Sequence, residues 1–460
     1  MHGRPIALLL GAALLAGCGS GSKHEGPAGG AEIAPGSTAA LVRLDTSFGS
    51  QQWQALETLL KLSPEGTKIL SALGGAQGAL GAETDLLALT AADLGKGSFI
   101  GLTQPRNQAK LDSLLAKHTP PLVSEEVAAW RAIASGRTAI DGFKRARTGG
   151  SLAGSDAYRE AVSGLPATSL ASVYVDGAAV TAALDARVKT GTGPLPGLGR
   201  VSWLASALSA ENNGLALDLR IKGDAIEATP FTAELPAEVP AGVSLFVGFK
   251  GQDATLDELI RSPAVSARLG SAARLLGGVL DDVIALFKEE GALYVRQGAA
   301  GPEYTLVLKV ADETAAAETL GRLATLASAL QQKLPETVEV EGVTATKITV
   351  GKTDLYYAVF DGKLAVSNAL GGIRGLRTTT GRLSGSRAWQ DAVAAAGMPE
   401  QTAGILYADV NRALPLLEGL VKDKASLPKL RRTLAPLGTA LLYGSVDGSV
   451  LSVKGFVSVR

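Results

Sequence analysis

A serine followed three residues later by a lysine is the pattern in this chain that most resembles a nucleophile with its base. It occurs at Ser426 and Lys429, and in penicillin-binding enzymes a lysine one helical turn away activates such a serine. The companion motif Ser-Asp-Asn is missing from the sequence, Gly351-Lys352-Thr353 has the wrong order for Lys-Thr-Gly, and Pro428 disrupts the helical turn that would join the pair. We therefore interpret the pattern as a chance match and predict no catalytic residue.

Adjacent acidic residues could supply a general acid and base or bind a cation. They occur at Glu125-Glu126, Asp281-Asp282 and Glu289-Glu290. Neighbouring residues point to different faces of a helix, so the sequence favours solvated surface for these pairs. Neither a calcium-loop pattern nor a His-Glu-x-x-His motif accompanies them. We predict no metal site.

Histidine and glycine patterns give no stronger indication of chemistry. The histidines are His2, His24 and His118, and only the last lies in the region expected to fold, too few for a histidine zinc site or most histidine-dependent triads. Glycine clusters at 74–78 and 191–199 lack the Gly-Lys-Ser/Thr ending of a phosphate loop. The sequence therefore predicts no cofactor and a protein that is not an enzyme.

The balance of charges argues against a partner that binds mainly by electrostatic attraction. Lys plus Arg number 44 and Asp plus Glu number 44, so no net field attracts nucleic acid or anionic lipid. With 46% hydrophobic and 19% charged residues the chain has the composition of a folded protein with sizeable cores. We predict no nucleic-acid partner.

The single cysteine, Cys18, ends a short leader. Arg4 gives the leader its positive charge and residues 6–15 form the apolar region of a signal peptide, too short to remain as a membrane span. Leu15-Ala16-Gly17-Cys18 resembles the lipobox of bacterial lipoproteins. That resemblance implies cleavage before Cys18 and attachment of a diacylglyceryl group to its sulfur, usually with acylation of the new amine. The alternative is an ordinary signal peptide with a chance cysteine.

The lipid anchor indicates a location in the cell. Residues 18–31 have the Gly- and Ser-rich composition of a flexible tether, and Gly19 after the cysteine favours sorting to the outer membrane rather than the inner membrane in a Gram-negative cell. We expect an exported cell-envelope protein that reaches the membrane through lipidated Cys18. Its partner would be another envelope protein, and a periplasmic or a surface-exposed orientation is equally open.

One segment of the chain occurs twice and organises the predicted elements around it. Gly150–Asp176 and Gly381–Asp409 share glycine, leucine, small residues, one aromatic residue and then a strand that ends in Tyr-x-Asp. Internal repeats indicate repeated structural units. The sequence therefore predicts a duplication.

The matched Tyr174/Asp176 and Tyr407/Asp409 pairs could form two polar sites. However, a tyrosine suits a half-buried strand, and an aspartate at the strand end suits the N-cap of a following helix. We favour this structural interpretation.

Hairpin signals indicate antiparallel sheets. Asp361-Gly362 separates two alternating runs, and both proposed units close with a hairpin. In the first unit, the sequence predicts a hairpin of Trp130–Ala134 with Arg137–Ile140. The fold class is α+β, with two tandem homologous units that each have a largely antiparallel sheet and helices packed on it. The predicted domains are a lipoprotein signal peptide at 1–17, a tether at 18–31, unit one at 32–230 and unit two at 231–460.

The strand after Pro240, the step near Val310-Ala311-Asp312, the Tyr356–Lys363 hairpin and the duplicated segment together resemble an uncharacterised bacterial envelope family. Its members are exported or lipid-anchored proteins known only as a domain of unknown function, and the resemblance implies no active site. The leading hypothesis is a non-catalytic, lipid-anchored protein that binds or scaffolds. The alternatives are a periplasmic carrier of an apolar ligand such as a lipid and, third, an envelope hydrolase.

Overall fold

The computed structural model describes residues 29–460 apart from 63, 75, 188–197, 227, 262–278, 300, 332, 352, 379–380 and 422. The predicted leader, Cys18 and most of the tether lie outside the described residues, as does most of the glycine cluster at 191–199. Among the described helices, none has the length and apolar content needed to cross a membrane.

The chain divides into two compact units. Unit one extends to Ile226 and includes Asp447–Gly455 and Val459–Arg460, whereas unit two comprises Glu227–Val446 and Phe456–Ser458. The final strand, β20 at Val450–Val459, is thus shared. The described residues form an α+β fold with a large antiparallel sheet and helices, as the sequence predicts.

Unit one is built on strands whose spatial order is β4-β5-β3-β2-β1-β6-β7-β8, every neighbouring pair being antiparallel. The strands are β1 Ala40–Asp45, β2 Glu83–Ala88, β3 Ile100–Thr103, β4 Val123–Val127, β5 Trp130–Ala134, β6 Ala171–Asp176, β7 Val201–Glu211 and β8 Gly214–Gly223.

Helices bury both faces of the unit one sheet. The helices are α1 Gln51–Lys61, α2 Pro64–Gly74, α3 Ala91–Lys96, α4 Gln108–Ala116, α5 Arg137–Ala146, α6 Asp156–Val162 and α7 Gly177–Arg187. Phe143 of α5 and Tyr158 of α6 join Leu41 and Leu87 of the sheet in one core cluster. Trp53 and Leu56 of α1 belong to another cluster, because helical spacing places them on one face.

Unit two has the strand order β13-β14-β15-β16-β12-β11-β10-β18-β19, again antiparallel at each step. A separate short pair joins β9 to β17. The strands are β9 Phe231–Thr232, β10 Leu245–Lys250, β11 Glu290–Gly298, β12 Gly301–Lys309, β13 Glu336–Val340, β14 Val343–Val350, β15 Thr353–Phe360, β16 Lys363–Ser367, β17 Gln401–Thr402, β18 Gly404–Asp409 and β19 Leu437–Asp447.

The unit two helices also lie on two faces of their sheet. Ile373 and Trp389 belong to the large core cluster with Phe246 and Tyr407, whereas Leu320 packs in a second cluster with strand residues. The helices are α8 Asp253–Arg261, α9 Val279–Ala285, α10 Glu313–Gln331, α11 Leu370–Thr378, α12 Arg387–Ala396, α13 Val410–Leu420 and α14 Leu427–Leu434.

The predicted hairpin of unit one is wrong in its second strand. The residues from Arg137 onward form α5 and not a strand, and the partner of Trp130–Ala134 is Val123–Val127. Ile140 and Phe143 are both buried three residues apart, a helical spacing that a strand would place on opposite faces. In unit two, by contrast, the hairpin predicted around Asp361-Gly362 is confirmed by the pairing of β15 with β16.

Candidate functional site

Ser426 is not arranged as an activated nucleophile. It is exposed at the end of a 3₁₀ turn, and its Oγ donates to Oδ2 of Asp423 at 2.8 Å. The hydroxyl proton is therefore directed at an acceptor other than Lys429.

The acidic pairs have different environments. Glu125 forms an ion pair with Lys144, and Asp282 lies 2.7 Å from Arg322, in both cases with partly exposed side chains. Glu290 contradicts the prediction of solvated surface, because only 5% of it is exposed. It begins β11, and residues along a strand alternate between faces, so the side chain of Glu290 faces the interior.

The repeated tyrosines and aspartates have the structural roles expected of them. Tyr174 and Tyr407 are buried at 3% and 2% exposure. Oδ1 of Asp409 accepts from the backbone N–H groups of Asn411 and Arg412 at the start of α13. Oδ1 of Asp176 accepts from one N–H at the start of α7. The pairs are packing and capping residues.

The repeated segments hold two equivalent stretches of backbone, which we name strap one, Gly29–Ala34, and strap two, Glu234–Val239. Each strap contains a 3₁₀ turn and precedes the first long strand of its unit. The N–H of Leu152 donates to the carbonyl of Ala34 at 2.8 Å, and the N–H of Leu383 donates to that of Val239 at 2.9 Å. The repeat therefore supports each strap through a main-chain hydrogen bond.

A glutamate binds the other end of each strap, and it is buried in unit two and partly buried in unit one. In unit two, Oε1 of Glu290 accepts from the N–H groups of Glu234 and Leu235, each at 2.8 Å. Burial raises the pKa of Glu290, although these donors and Lys309, 3.4 Å away, favour its charged form. In unit one, Oε1 of Glu83 accepts from the N–H of Gly30 at 3.0 Å.

Unit one alone places an arginine and an aspartate beside this glutamate. Arg43 lies opposite Asp85 across β1 and β2, and its Nε is 3.3 Å from Glu83 Oε1 and 3.5 Å from Asp85 Oδ1. Asp85 has no exposed surface, and within the described residues neither of its oxygens has a hydrogen-bond partner. Burial therefore raises the pKa of Asp85 well above its ordinary value, against the opposing effect of Arg43.

The register identifies the equivalent positions in unit two. Leu41 pairs with Leu87 and Tyr174, and Phe246 pairs with Tyr294 and Tyr407. Two residues further along the strands, Arg43 and Asp85 therefore correspond to Gly248 and Ala292. The partly buried arginine and the buried aspartate are specific to unit one, and no sequence motif predicted them.

Unit two contains an open depression of about 610 Å³ with a polar floor. Arg296 and Glu303 lie at its base, with Nε 2.6 Å from Oε2. The first turns of α11 border it, and there Arg296 donates to the carbonyl of Gly371. Arg374, whose side chain is 57% exposed, forms part of the rim.

Glycine permits this close packing. A Cβ on Gly372 would come within 2.2 Å of Ser367 Oγ and Thr305 Oγ1, and one on Gly375 within 2.8 Å of Arg296 Nη1. Helix α11 can therefore lie directly on the polar side chains of the sheet. Its Ala-Leu-Gly-Gly-Ile-Arg-Gly sequence was the available signal for this contact.

A protein-family model described as a protein of unknown function, DUF3352, matches residues 134–437. No curated protein matches the chain. Solved structures with similarity include crystal form IV of TP0453, with 13% identity, a TM-score of 0.26 and coverage of 50% of this chain and 94% of that chain. Crystal form I of TP0453 has 13% identity, a TM-score of 0.25 and coverage of 48% and 77%. Similarity with TM-scores this low does not support a conclusion about fold or function.

Proposed function

The chain belongs to the DUF3352 family, a family of unknown function, and from that premise we propose a lipid-anchored cell-envelope protein that binds a partner and does not catalyse a reaction. The depression of unit two is the observation that carries the binding proposal. Its volume of about 610 Å³ lies within the range of ligand sites, roughly 300–1,000 Å³.

The chemistry of the depression favours a partner with a carboxylate or another anionic group. Arg374 is more than half exposed at the rim, and its Nε is 3.6 Å from Glu341. An exposed ion pair of this kind contributes little, about 0–1 kcal/mol, so an incoming carboxylate can replace Glu341 at small cost. The guanidinium of Arg374 would bind such a group with paired hydrogen bonds.

A photocrosslinking residue at position 374 tests this surface in the full-length chain with its anchor. It should capture a defined envelope protein, and Arg374→Glu should weaken recovery of the same protein about tenfold, since reversing the charge turns attraction into repulsion. Arg387, exposed on α12 of the same unit, provides the matched control for both changes. Equal capture at 374 and 387 would show that the depression is not the binding surface.

The anchor is the second part of the proposal. The sequence Leu15-Ala16-Gly17-Cys18 supports lipidation, and Gly29, the first described residue, follows Cys18 closely. Fully extended, the intervening chain would reach at most about 40 Å, so unit one would operate near the bilayer. A Cys18→Ser chain should leave the membrane fraction and lose acyl mass. Retention of both would rule out this anchor.

A carrier of an apolar ligand is the second candidate, favoured by leucines on one face of the unit two sheet. Val247 pairs with Leu293 on one side and with Leu406 on the other, and these leucines are 37% and 38% exposed. Neighbouring apolar side chains at this exposure suit contact with an acyl chain. Native mass spectrometry of the protein from its own envelope should then show a bound lipid, and ligand-free spectra would count against it.

We also infer that the two units arose by duplication. The order β5-β3-β2-β1-β6-β7 in unit one corresponds to β16-β12-β11-β10-β18-β19 in unit two. Tyr158 and Tyr174 stack edge-on with ring centroids 5.2 Å apart, as do Trp389 and Tyr407. An experimental structure in which these strands failed to superpose in that order would contradict the duplication.

A further inference from the structure

Strap one lies directly on the buried charges of unit one. Gly30 is buried, Ala31 has no exposed surface, and the N–H of Gly30 donates to Glu83. The strap's own hydrogen bonds to the unit are few, so its position depends on how well its backbone fits against Glu83 and Asp85.

Only glycine fits at the first two positions of the strap. Gly29 has a φ of 100°, and a Cβ there would lie 2.2 Å from Glu83 Oε1. A Cβ on Gly30 would lie 1.8 Å from Asp85 Oδ2. The backbone of strap one is therefore in immediate contact with both carboxyl groups, and it shields Asp85 from water.

Ionisation of Asp85 would disturb this contact. The titratable groups that face it are Arg43 on β1, Glu83 on β2 and Tyr158 on α6. Arg43 is the one cation among them, and it is shared with Glu83. A second buried negative charge would therefore repel Glu83 and would lack the water that solvates a carboxylate. Lifting strap one would restore that water.

We propose that strap one is a pH-sensitive latch, which is closed over Asp85 while this carboxyl group is protonated and opens as it ionises. Opening would free Gly29–Ala34 and lengthen the link between unit one and the preceding residues. The latch does not depend on the proposed anchor or on the depression of unit two.

The direction of the pH effect follows from linkage. The closed state holds the Asp85 proton more tightly than the open state, because burial raises the pKa of this group. Closure is therefore fully favoured at low pH and weakens as the pH rises above the ordinary aspartate range, about 3.9, toward the raised value. Each pKa unit of difference corresponds to a tenfold change in the closing equilibrium.

Hydrogen exchange followed by mass spectrometry tests the latch in the full-length chain. After correction for intrinsic exchange rates, the protection of strap one should fall as the pH rises from about 4 towards neutral pH, by about tenfold for each unit by which burial raises the pKa of Asp85. The Asp85→Asn chain provides the control, because strap two is held by Glu290, whose pKa burial also raises. An equal loss of protection in the parent and in Asp85→Asn, or no loss in the parent, would overturn the proposal.

Two variants separate Asp85 from Glu83 as the titrating group. Asp85→Asn should make the protection of strap one independent of pH, whereas Glu83→Gln should keep the pH dependence at a lower overall protection. The reverse pattern would overturn the assignment. Gly30→Ala should open strap one throughout this pH range through its clash with Asp85, while exchange in β7 stays slow if the unit remains folded.

Discussion

Nε of Arg43 lies 3.5 Å from Oδ1 of Asp85 across two paired strands, at positions where the other unit has Gly248 and Ala292. The pair is therefore not required by the topology. It places polar groups where apolar residues would suffice, and even when both groups are charged a buried ion pair is weak evidence of added stability.

Removing one member of this pair should cost more than removing both. Arg43→Met leaves a buried carboxyl group without its cation and should destabilise unit one by about 3 kcal/mol, whereas Arg43→Met combined with Asp85→Leu should recover most of the loss. Hydrogen exchange in urea, which follows each unit separately, measures both changes. Additive effects of the single substitutions would show that the two side chains do not interact.

Loss of Glu290 should release strap two. Glu290→Leu leaves the buried N–H groups of Glu234 and Leu235 without an acceptor and should destabilise unit two by about 2–4 kcal/mol. Glu290→Gln should cost less, because its side-chain carbonyl can still accept. Glu289→Gln is the matched control on a side chain that is 51% exposed, with an expected change within about 0.5 kcal/mol.

The pH dependence of the free energy of unfolding, measured for the parent chain and Glu290→Gln, checks the protonation of Glu290. Because burial raises the pKa of this carboxyl group, the folded unit binds its proton more tightly, and the free energy of unfolding should decline as pH rises above about 4. Glu290→Gln should remove that decline. A parent chain whose stability instead rises over this range, with no change in the Gln variant, would contradict it.

Replacing a glycine of α11 by alanine should destabilise unit two. Gly372→Ala places a Cβ 2.2 Å from Ser367 Oγ and should destabilise unit two by about 1–3 kcal/mol through overpacking. Gly321 in α10 is the control, since a Cβ there meets nothing within 4 Å, and its alanine should stabilise by about 0.5–1 kcal/mol. Equal effects on thermal unfolding would contradict the packing of α11.

The phenol of Tyr294 should ionise at a higher pH than an exposed tyrosine. Burial raises the pKa of its phenol to about 12, and its hydroxyl donates to the carbonyl of Gly372 at 3.0 Å. The stability that this hydrogen bond contributes should be present below about pH 10 and be lost as pH approaches 12. Ultraviolet titration of the parent against Tyr294→Phe should show one fewer late-ionising tyrosine, and an unchanged titration would contradict the assignment.

Local signals predicted the Asp361-Gly362 hairpin and the aspartate caps of this chain, but not the strand partner of Trp130–Ala134. Asp361-Gly362 lies between β15 and β16, and Asp409 caps α13 by accepting from the N–H groups of Asn411 and Arg412. Both features depend on a few neighbouring residues, which is why turn and capping preferences suffice to predict them.

The strands that carry the buried charges were missed. β2 and β11 begin with charged residues, Glu83 and Glu290, which strand propensities disfavour. Their burial depends on straps about fifty residues away along the chain, as for Gly30 and Glu83. A short window of sequence does not include both residues of such a contact, so it cannot predict the burial. The apolar runs after both glutamates were nevertheless a usable signal for the strands.

The shared final strand has a consequence for biosynthesis. Unit one includes Asp447–Gly455, where the N–H of Gly223 donates to the carbonyl of Ser449 at 3.1 Å and Lys454 lies 3.7 Å from Asp218. A ribosome adds the N-terminal part of a chain first, yet this unit must wait for residues that are made after unit two. Folding of unit one is therefore incomplete until Asp447–Gly455 have been made, and deletion of β20 should damage the unit that was synthesised first.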